Sequence, residues 1–441
     1  MNVSDVLKKR VFDATEKRER DIILLAQELI KRNTVTDPPS GNEKEGQEVV
    51  IKYLENIVDD LDVFEPTQVN GLNDHEGYYP GWDYKNRPNV VGVRKGKDNS
   101  KGNSIILNGH IDVVSPGNLE YWDYDPFGGE VDNNRIYGRG SSDMKGPIAG
   151  IIMAIQILKD LNIELNGDVI IESVVNEELG GYNGTLSCIL KGYEADLAVV
   201  AEPTQLRICP GQKGGQVYKI KTIGEGAHIA RWWKGKSSLE LAFMIKKLLS
   251  RYQRKRQKET ENNILFGDKE LFPLSAFVDD IYYLKAGDKN IMGTPSETEM
   301  ELWFDVLPGE DLHKKLKEFE NYLKEETEKN AFFETNSLKI ERGEMREFYP
   351  TFMDLEHPGL NELKKSYIRA NGVDPIVCGF ESACEGMMFN KWSKTPAVIF
   401  GPGNIELAHR ANEYIEIEEL KEFIKTMTIM LLSWCGFEKD D

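Results

Sequence analysis

"KGPIAGIIMAIQILKDL" occupies positions 145–161, and the segments on either side of it decide what it can be. Before it stands "SIILNGH" (104–110) and after it "DVIIESVV" (168–175), each a short, nearly unbroken apolar run. Runs of that kind suit strands buried on both faces. The segment between them is too long for a strand and carries Pro147 where a helix would have its first turn. Strand, helix, strand is the unit of an α/β fold, and "NVVGVR" (89–94), "DLAVVAE" (196–202) and "PAVIFGPG" (396–403) supply more strands. The spacing predicts two helices ahead of them, at about 18–33 and 43–58, with "NTVTDPPSGNE" as the loop between. The predicted fold is therefore α/β, a mostly parallel sheet sandwiched by helices.

From about 211 the pattern changes. "QVYKIKTIGEG" and "TEMELWFDVLPGE" alternate apolar and polar residues, as half-buried strands do. "SSLELAFMIKKLLSRY" and "DLHKKLKEFENYLKEETEK" read as amphipathic helices. This predicts a smaller α+β domain at 211–346 inserted into an α/β domain formed by 1–210 and 347–441. A chain of 441 residues is in any case too long for one ordinary core.

Composition narrows the function. Lys plus Arg number 55 against 74 Asp plus Glu, a net charge of −19, which argues against nucleic acid or an anionic membrane as the main partner. The basic stretch "RYQRKRQKE" (251–259) follows a helical pattern and reads as a solvated helix end. The longest apolar stretch, "IAGIIMAIQIL", falls short of the roughly 20 residues a membrane span needs. The charged N-terminal segment lacks the apolar core of a signal peptide, and five cysteines without a C-x-x-C pair do not form a disulfide framework. Cytoplasmic residence is the expectation.

Open α/β sheets build their sites beyond the carboxyl ends of the strands. There the sequence delivers His110 and Asp112, the pair Glu177 and Glu178, Glu202, His409, and Asp143 from "GRGSSDMKG" just ahead of its helix. Singly, each has an ordinary reading: a helix cap, a solvated loop, a surface histidine. Together, so many buried carboxylates call for a cation. Imidazole mixed with carboxylate suits zinc or a similar transition metal, and the ligands are too many for one tetrahedral ion but enough for two sharing a carboxylate. Asp112, two residues beyond His110, is placed to accept its ring N–H. In an extended segment Glu177 and Glu178 would aim apart, so one would be a ligand and the other a base. His75, His313 and His357 have no such context.

These residues match a known family. The chain resembles the dinuclear zinc amidohydrolases that include acetylornithine deacetylase, succinyl-diaminopimelate desuccinylase, aminoacylase and carboxypeptidase G, through "NGHIDVV", "GRGSSDMKG", "NEELGG", "AEPT", "GEGAH" and "AHRANE" in the family's order. The resemblance implies that His110, Asp143 and Glu202 bind one metal, and that Glu178 and His409 bind the other with Asp143 bridging. It implies Asp112 as the residue orienting His110, and Glu177 as general base and then acid. The inserted domain would be a lid and homodimerisation surface, with His228 holding the oxyanion and Asn290 near the substrate. The cofactors implied are two divalent ions, zinc or alternatively cobalt.

The implied reaction is amide hydrolysis, above all deacylation of an N-acyl amino acid or related amino compound. The alternatives are a dipeptidase or aminopeptidase acting on short peptides, a deformylase of a small heterocyclic amine, and a non-catalytic metal- or ligand-binding protein that keeps the fold. A serine hydrolase would need a G-x-S-x-G elbow, and a dinucleotide site a G-x-G-x-x-G turn; neither is present. Two departures stand out. Many family members carry an arginine where Asp305 falls, which predicts a substrate that lacks a carboxylate there or has an amino group instead, or else a solvated strand residue. Glu385 in "CGFESACEG" stands where the family often has an aspartate.

Overall fold

The computed structural model describes residues 3–278, 280–333 and 337–438. The chain divides into two compact units, Met1–Gly211 with Phe352–Phe380 and Cys384–Asp441, and Gln212–Thr351 with Glu381–Ala383.

In the first unit a six-stranded sheet runs in the order Ala397–Ile399, Ala198–Val200, Ile105–His110, Val169–Val174, Asn89–Arg94 and Asp60–Phe64. The first four are joined by parallel pairings, while Asn89–Arg94 pairs antiparallel with both its neighbours and so runs against the other five. Every residue of Ile105–His110 and Val169–Val174 is buried, the two-faced burial that their apolar runs predict. Helix Gly146–Asp160 connects them and is buried almost all round. It can lie close to the C-terminal helix Ile417–Trp434 because residue 150 is glycine: a Cβ there would stand 2.7 Å from a Phe423 ring carbon. Truncating one of its fully buried isoleucines, such as Ile155, to alanine would cost about 2–5 kcal/mol. The N-terminal helices are Glu19–Ile30 and Lys44–Leu54, preceded by Asp5–Lys17, whose first turn is capped by the Ser4 hydroxyl.

The second unit has a four-stranded antiparallel sheet in the order Ile281–Ala286, Glu297–Val306, Gly214–Ile223 and Leu338–Arg342. Along Glu297–Val306 the residues Met300, Leu302 and Phe304 turn inward, onto a core shared with helices Ser238–Thr260 and Leu312–Glu328. The stretch 251–259 departs from its reading as a solvated helix end. Arg256 is fully buried and makes a two-pronged ion pair with Glu310, at 2.6 and 2.7 Å. A guanidinium can be buried where a carboxylate matches its fork, and charge pattern alone does not show that partner.

Candidate metal centre

Loops at the carboxyl ends of the central strands carry the candidate side chains of the first unit. His110 ends its strand and is fully buried. Its Nε2 lies 3.0 Å from Asp143 Oδ1 and 3.8 Å from Glu177 Oε2. Asp143 sits in the non-helical turn ahead of Gly146–Asp160, with its other oxygen 3.6 Å from His409 Nε2. His409 Nε2 is 3.0 Å from Glu178 Oε2. Ligand atoms of His110, Asp143 and Glu202 lie within 4.8 Å of one another, as do those of Asp143, Glu178 and His409. The two groups share Asp143.

Two local geometries differ from the sequence reading. Glu177 and Glu178 are not on an extended segment: Glu177 has helical dihedrals and Glu178 opens a short 3-10 turn. The turn is closed by backbone that only particular residues permit, since a Cβ on Gly181 would come within 2.1 Å of Asn176 Oδ1. The pair is aimed apart by a helical turn rather than by strand alternation. Second, His110 Nδ1 is 2.9 Å from the backbone carbonyl of Asp112, while the Asp112 carboxylate stands 3.9 Å away. The carboxylate is engaged elsewhere, accepting the amide N–H groups of Glu177 at 3.1 Å and Glu178 at 3.0 Å and the Thr36 hydroxyl at 2.8 Å. Two amides and a hydroxyl outcompete a ring nitrogen whose partner the adjacent carbonyl already supplies.

The electrostatics are those of a site short of positive charge. Burial, with the charges of Asp143 and other acids, raises the Glu202 carboxyl well above its usual range, and Glu202 Oε1 has no hydrogen-bond partner. Burial likewise raises Glu177, reinforced by Glu202, Glu385 and Glu178. Burial would lower both imidazoles, yet the Asp143 contact and its acidic neighbours hold His110 well above the ordinary value. The Glu178 contact in the same way lifts His409 to about 9. Burial raises Glu177, Glu178 and Glu202 while the His110 contact keeps Asp143 below its usual range, so three of the four carboxylates and both imidazoles favour protons that cations would displace. Buried carboxylate oxygen with no donor, beside imidazole nitrogen, fits a pair of divalent transition ions better than any arrangement of hydrogen bonds among these side chains.

His228 and Asn290 belong to the second unit, and both are exposed. His228 lies in a two-residue strand paired with Gly293–Thr294 and accepts the Ala230 amide. Asp305 is not the solvated strand residue that one sequence reading made it. It is neither solvated nor offered to a ligand, being 3% exposed and receiving Lys213 Nζ at 2.9 Å, Trp303 Nε1 at 2.6 Å and the Phe277 amide at 2.8 Å. Other residues escaped the sequence reading or, like Glu385, entered it only as a departure from the family's pattern. Glu413 accepts the amides of Ser142 and Asp143 and pairs with Arg139, and its only signal was its place at the end of "AHRANE". Glu385 accepts the Thr185 hydroxyl at 3.0 Å, and burial lifts it to about 7. Glu172 accepts Asn108 Nδ2 at 2.9 Å, and burial lifts it to about 8. A glutamate inside the apolar run "DVIIESVV" was the signal for that one.

The chain is similar to known proteins in sequence and in fold. A family model described as peptidase family M20/M25/M40 matches residues 106–433. N-formyl-4-amino-5-aminomethyl-2-methylpyrimidine deformylase of Bacillus subtilis (strain 168) is 30% identical over 450 residues, covering 96% of this chain and 97% of its own. A probable succinyl-diaminopimelate desuccinylase of Staphylococcus aureus (strain MSSA476) is 25% identical over 396 residues, 85% and 90% of the two chains. The crystal structure of human carnosine dipeptidase 1 superposes with a TM-score of 0.71 at 15% identity, over 97% of this chain and 99% of that one, a likeness of fold.

Proposed function

As the chain belongs to peptidase family M20/M25/M40, and is thereby a metal-dependent hydrolase of amide bonds, we propose that it removes a small N-acyl group from an amino compound with Glu177 as general base. The observation that carries this reading is the pair of ligand groups sharing Asp143, with Glu177 buried beside them and in neither.

His110, Asp143 and Glu202 would hold one divalent ion, and Asp143, Glu178 and His409 the other, zinc by its donor set or cobalt in its place. When bound, the ions acidify a water and polarise the scissile carbonyl. Glu177 takes the proton that the attacking water loses and returns it to the departing nitrogen. Asp112 holds the main chain of Glu177 and Glu178, so base and ligand keep a fixed spacing. His228 is proposed as donor to the oxyanion and Asn290 as a substrate contact, on the resemblance described above.

The acyl group proposed first is formyl, on a small heterocyclic amine, since the Bacillus relative named for that reaction matches nearly the whole chain. N-acyl amino acids, the class of the desuccinylase, come second. Asp305 has its own internal partners, which removes the argument that it selects a cationic substrate. The test is a panel of N-formyl heterocyclic amines, N-acetyl and N-succinyl amino acids and dipeptides, run on metal-stripped protein with zinc or cobalt restored. The expected result is no turnover without metal and the fastest turnover on the formyl compounds. Cleavage of none of them by fully loaded protein would sink the proposal.

Cytoplasmic residence and a homodimer through the second unit complete the reading. Among the described residues no helix is long and apolar enough to cross a membrane. The edge strand Ile281–Ala286 exposes Tyr282, Tyr283 and Leu284, a surface that suits pairing with a second copy. Leu284→Lys is expected to shift the protein to monomer in sedimentation velocity.

A further inference from the structure

The turn that carries Asp143 has no regular ladder to hold it. Asp143 itself sits at φ −125° and ψ 93°, outside helical backbone, and its amide is buried. A buried amide without an acceptor costs about 1–3 kcal/mol, so something must accept it. Glu413 does: its Oε1 receives Ser142 N–H at 2.9 Å and Asp143 N–H at 3.1 Å, while its Oε2 receives Arg139 Nη1 at 2.6 Å. Glu413 is only 1% exposed.

The arrangement repeats a motif of the same site. Asp112 accepts two consecutive amides, those of Glu177 and Glu178, and Glu413 accepts two consecutive amides, those of Ser142 and Asp143. Glu413 also lies four residues after His409 and directly before the strand Tyr414–Glu416. That strand pairs with Arg135–Tyr137, which leads into the Asp143 turn. The Glu413 carbonyl accepts Gly138 N–H at 2.9 Å as well. The His409 loop and the Asp143 turn are thus tied at their base by a strand pair and at their tip by one carboxylate.

We infer that Glu413 is a positioning residue for the metal centre, fixing Asp143 for both ligand groups at once by accepting the Ser142 and Asp143 amides. This rests on the dinuclear reading given above. A carboxylate is required because both of its ends accept. Glutamine has a single oxygen and cannot serve the amides and Arg139 together. Since Asp143 is common to both groups, losing its anchor weakens both ions, whereas Glu202→Ala or His409→Ala each strips one group.

The test is zinc binding by equilibrium dialysis, with the visible spectrum of the cobalt-loaded protein as a second readout. Wild type is expected to bind two ions. Glu413→Gln is expected to lose about 10–100-fold in affinity at both sites, with both cobalt bands altered. Arg139→Gln, which leaves the amide clamp in place, is expected to keep both ions near wild-type affinity. Wild-type affinity in Glu413→Gln, a loss confined to one ion, or an equal loss in Arg139→Gln would each overturn the inference. Hydrogen exchange on metal-free wild type decides the matter even where Glu413→Gln does not fold. The Ser142 and Asp143 amides should exchange as slowly as those of Ile105–His110, and exchange at the rate of free amides refutes the clamp. A wild type that binds no pair of ions counts instead against the dinuclear reading.

Discussion

Asp305 and Glu202 are both carboxylates at 3% exposure, one in each unit, and their circumstances are opposite. Asp305 has a lysine, an indole N–H and a backbone amide within hydrogen-bonding distance. Glu202 has an oxygen with no donor at all, and its neighbours are mostly further acids. Equal burial therefore carries opposite meaning. A carboxylate whose lone pairs are met by donors of its own chain is structural, and one left short of donors among other acids is waiting for a cation.

The largest effect that tests this contrast is on the base. Glu177→Ala is expected to keep both ions, because Glu177 belongs to neither ligand group, and to lose about 10²–10⁴-fold in kcat. Metal content together with single-turnover rates reads it, and activity near wild type would remove Glu177 from the mechanism. On the structural side, Asp305→Ala leaves Lys213 buried without its partner. Denaturant titration should show a loss of about 3–5 kcal/mol with zinc stoichiometry unchanged.

Glu172 sharpens the comparison through pH. Its carboxyl is held at about 8 against an ordinary 4.5, chiefly by burial. Below about pH 4.5 it is protonated folded or unfolded and contributes nothing to pH dependence. Between there and about 8 the unfolded chain gives up the proton while the fold retains it, so stability falls as pH rises. Glu172→Gln should therefore match wild type at about pH 4 and exceed it increasingly toward pH 8, by about 2–4 kcal/mol, in thermal midpoints taken across that range. The smallest effect is on Glu202. Glu202→Gln removes a buried carboxyl that the fold must keep protonated against its usual ionisation, so the metal-free protein should gain on the order of 1 kcal/mol at neutral pH while one ion is lost on dialysis. A loss of stability there would place Glu202 with Asp305 after all.

Legibility from sequence follows the range of the interaction. The strands Ile105–His110 and Val169–Val174 and the helix between them were readable because burial on all sides leaves an apolar run in the chain itself. His110, Glu178, Glu202 and His409 were readable because each ends or follows such a run, and the sheet gathers those ends on one edge, while Asp143 was readable from the glycine-rich turn just ahead of the helix. The parts played by Glu413, Thr36 and Glu385 were not, since each is defined by a partner far away in the chain: Asp143, Asp112 and Thr185. Arg256 and Asp305 were misread for the same reason, as charges in a sequence look solvated until their partners are placed.

The order of residues alone determined the α/β layout, the inserted α+β segment and the chemistry of the donor set, because periodicity and side-chain type are local properties. Tertiary structure decided which carboxylates are satisfied and which are not: that Asp112 grips two amides while its carbonyl orients His110, that Glu413 does the same for Asp143, and that Asp305 is closed off. Hydrogen-bond partnership between segments far apart in the chain exists only once the chain has folded, and it is that partnership which separates a structural charge from a working one.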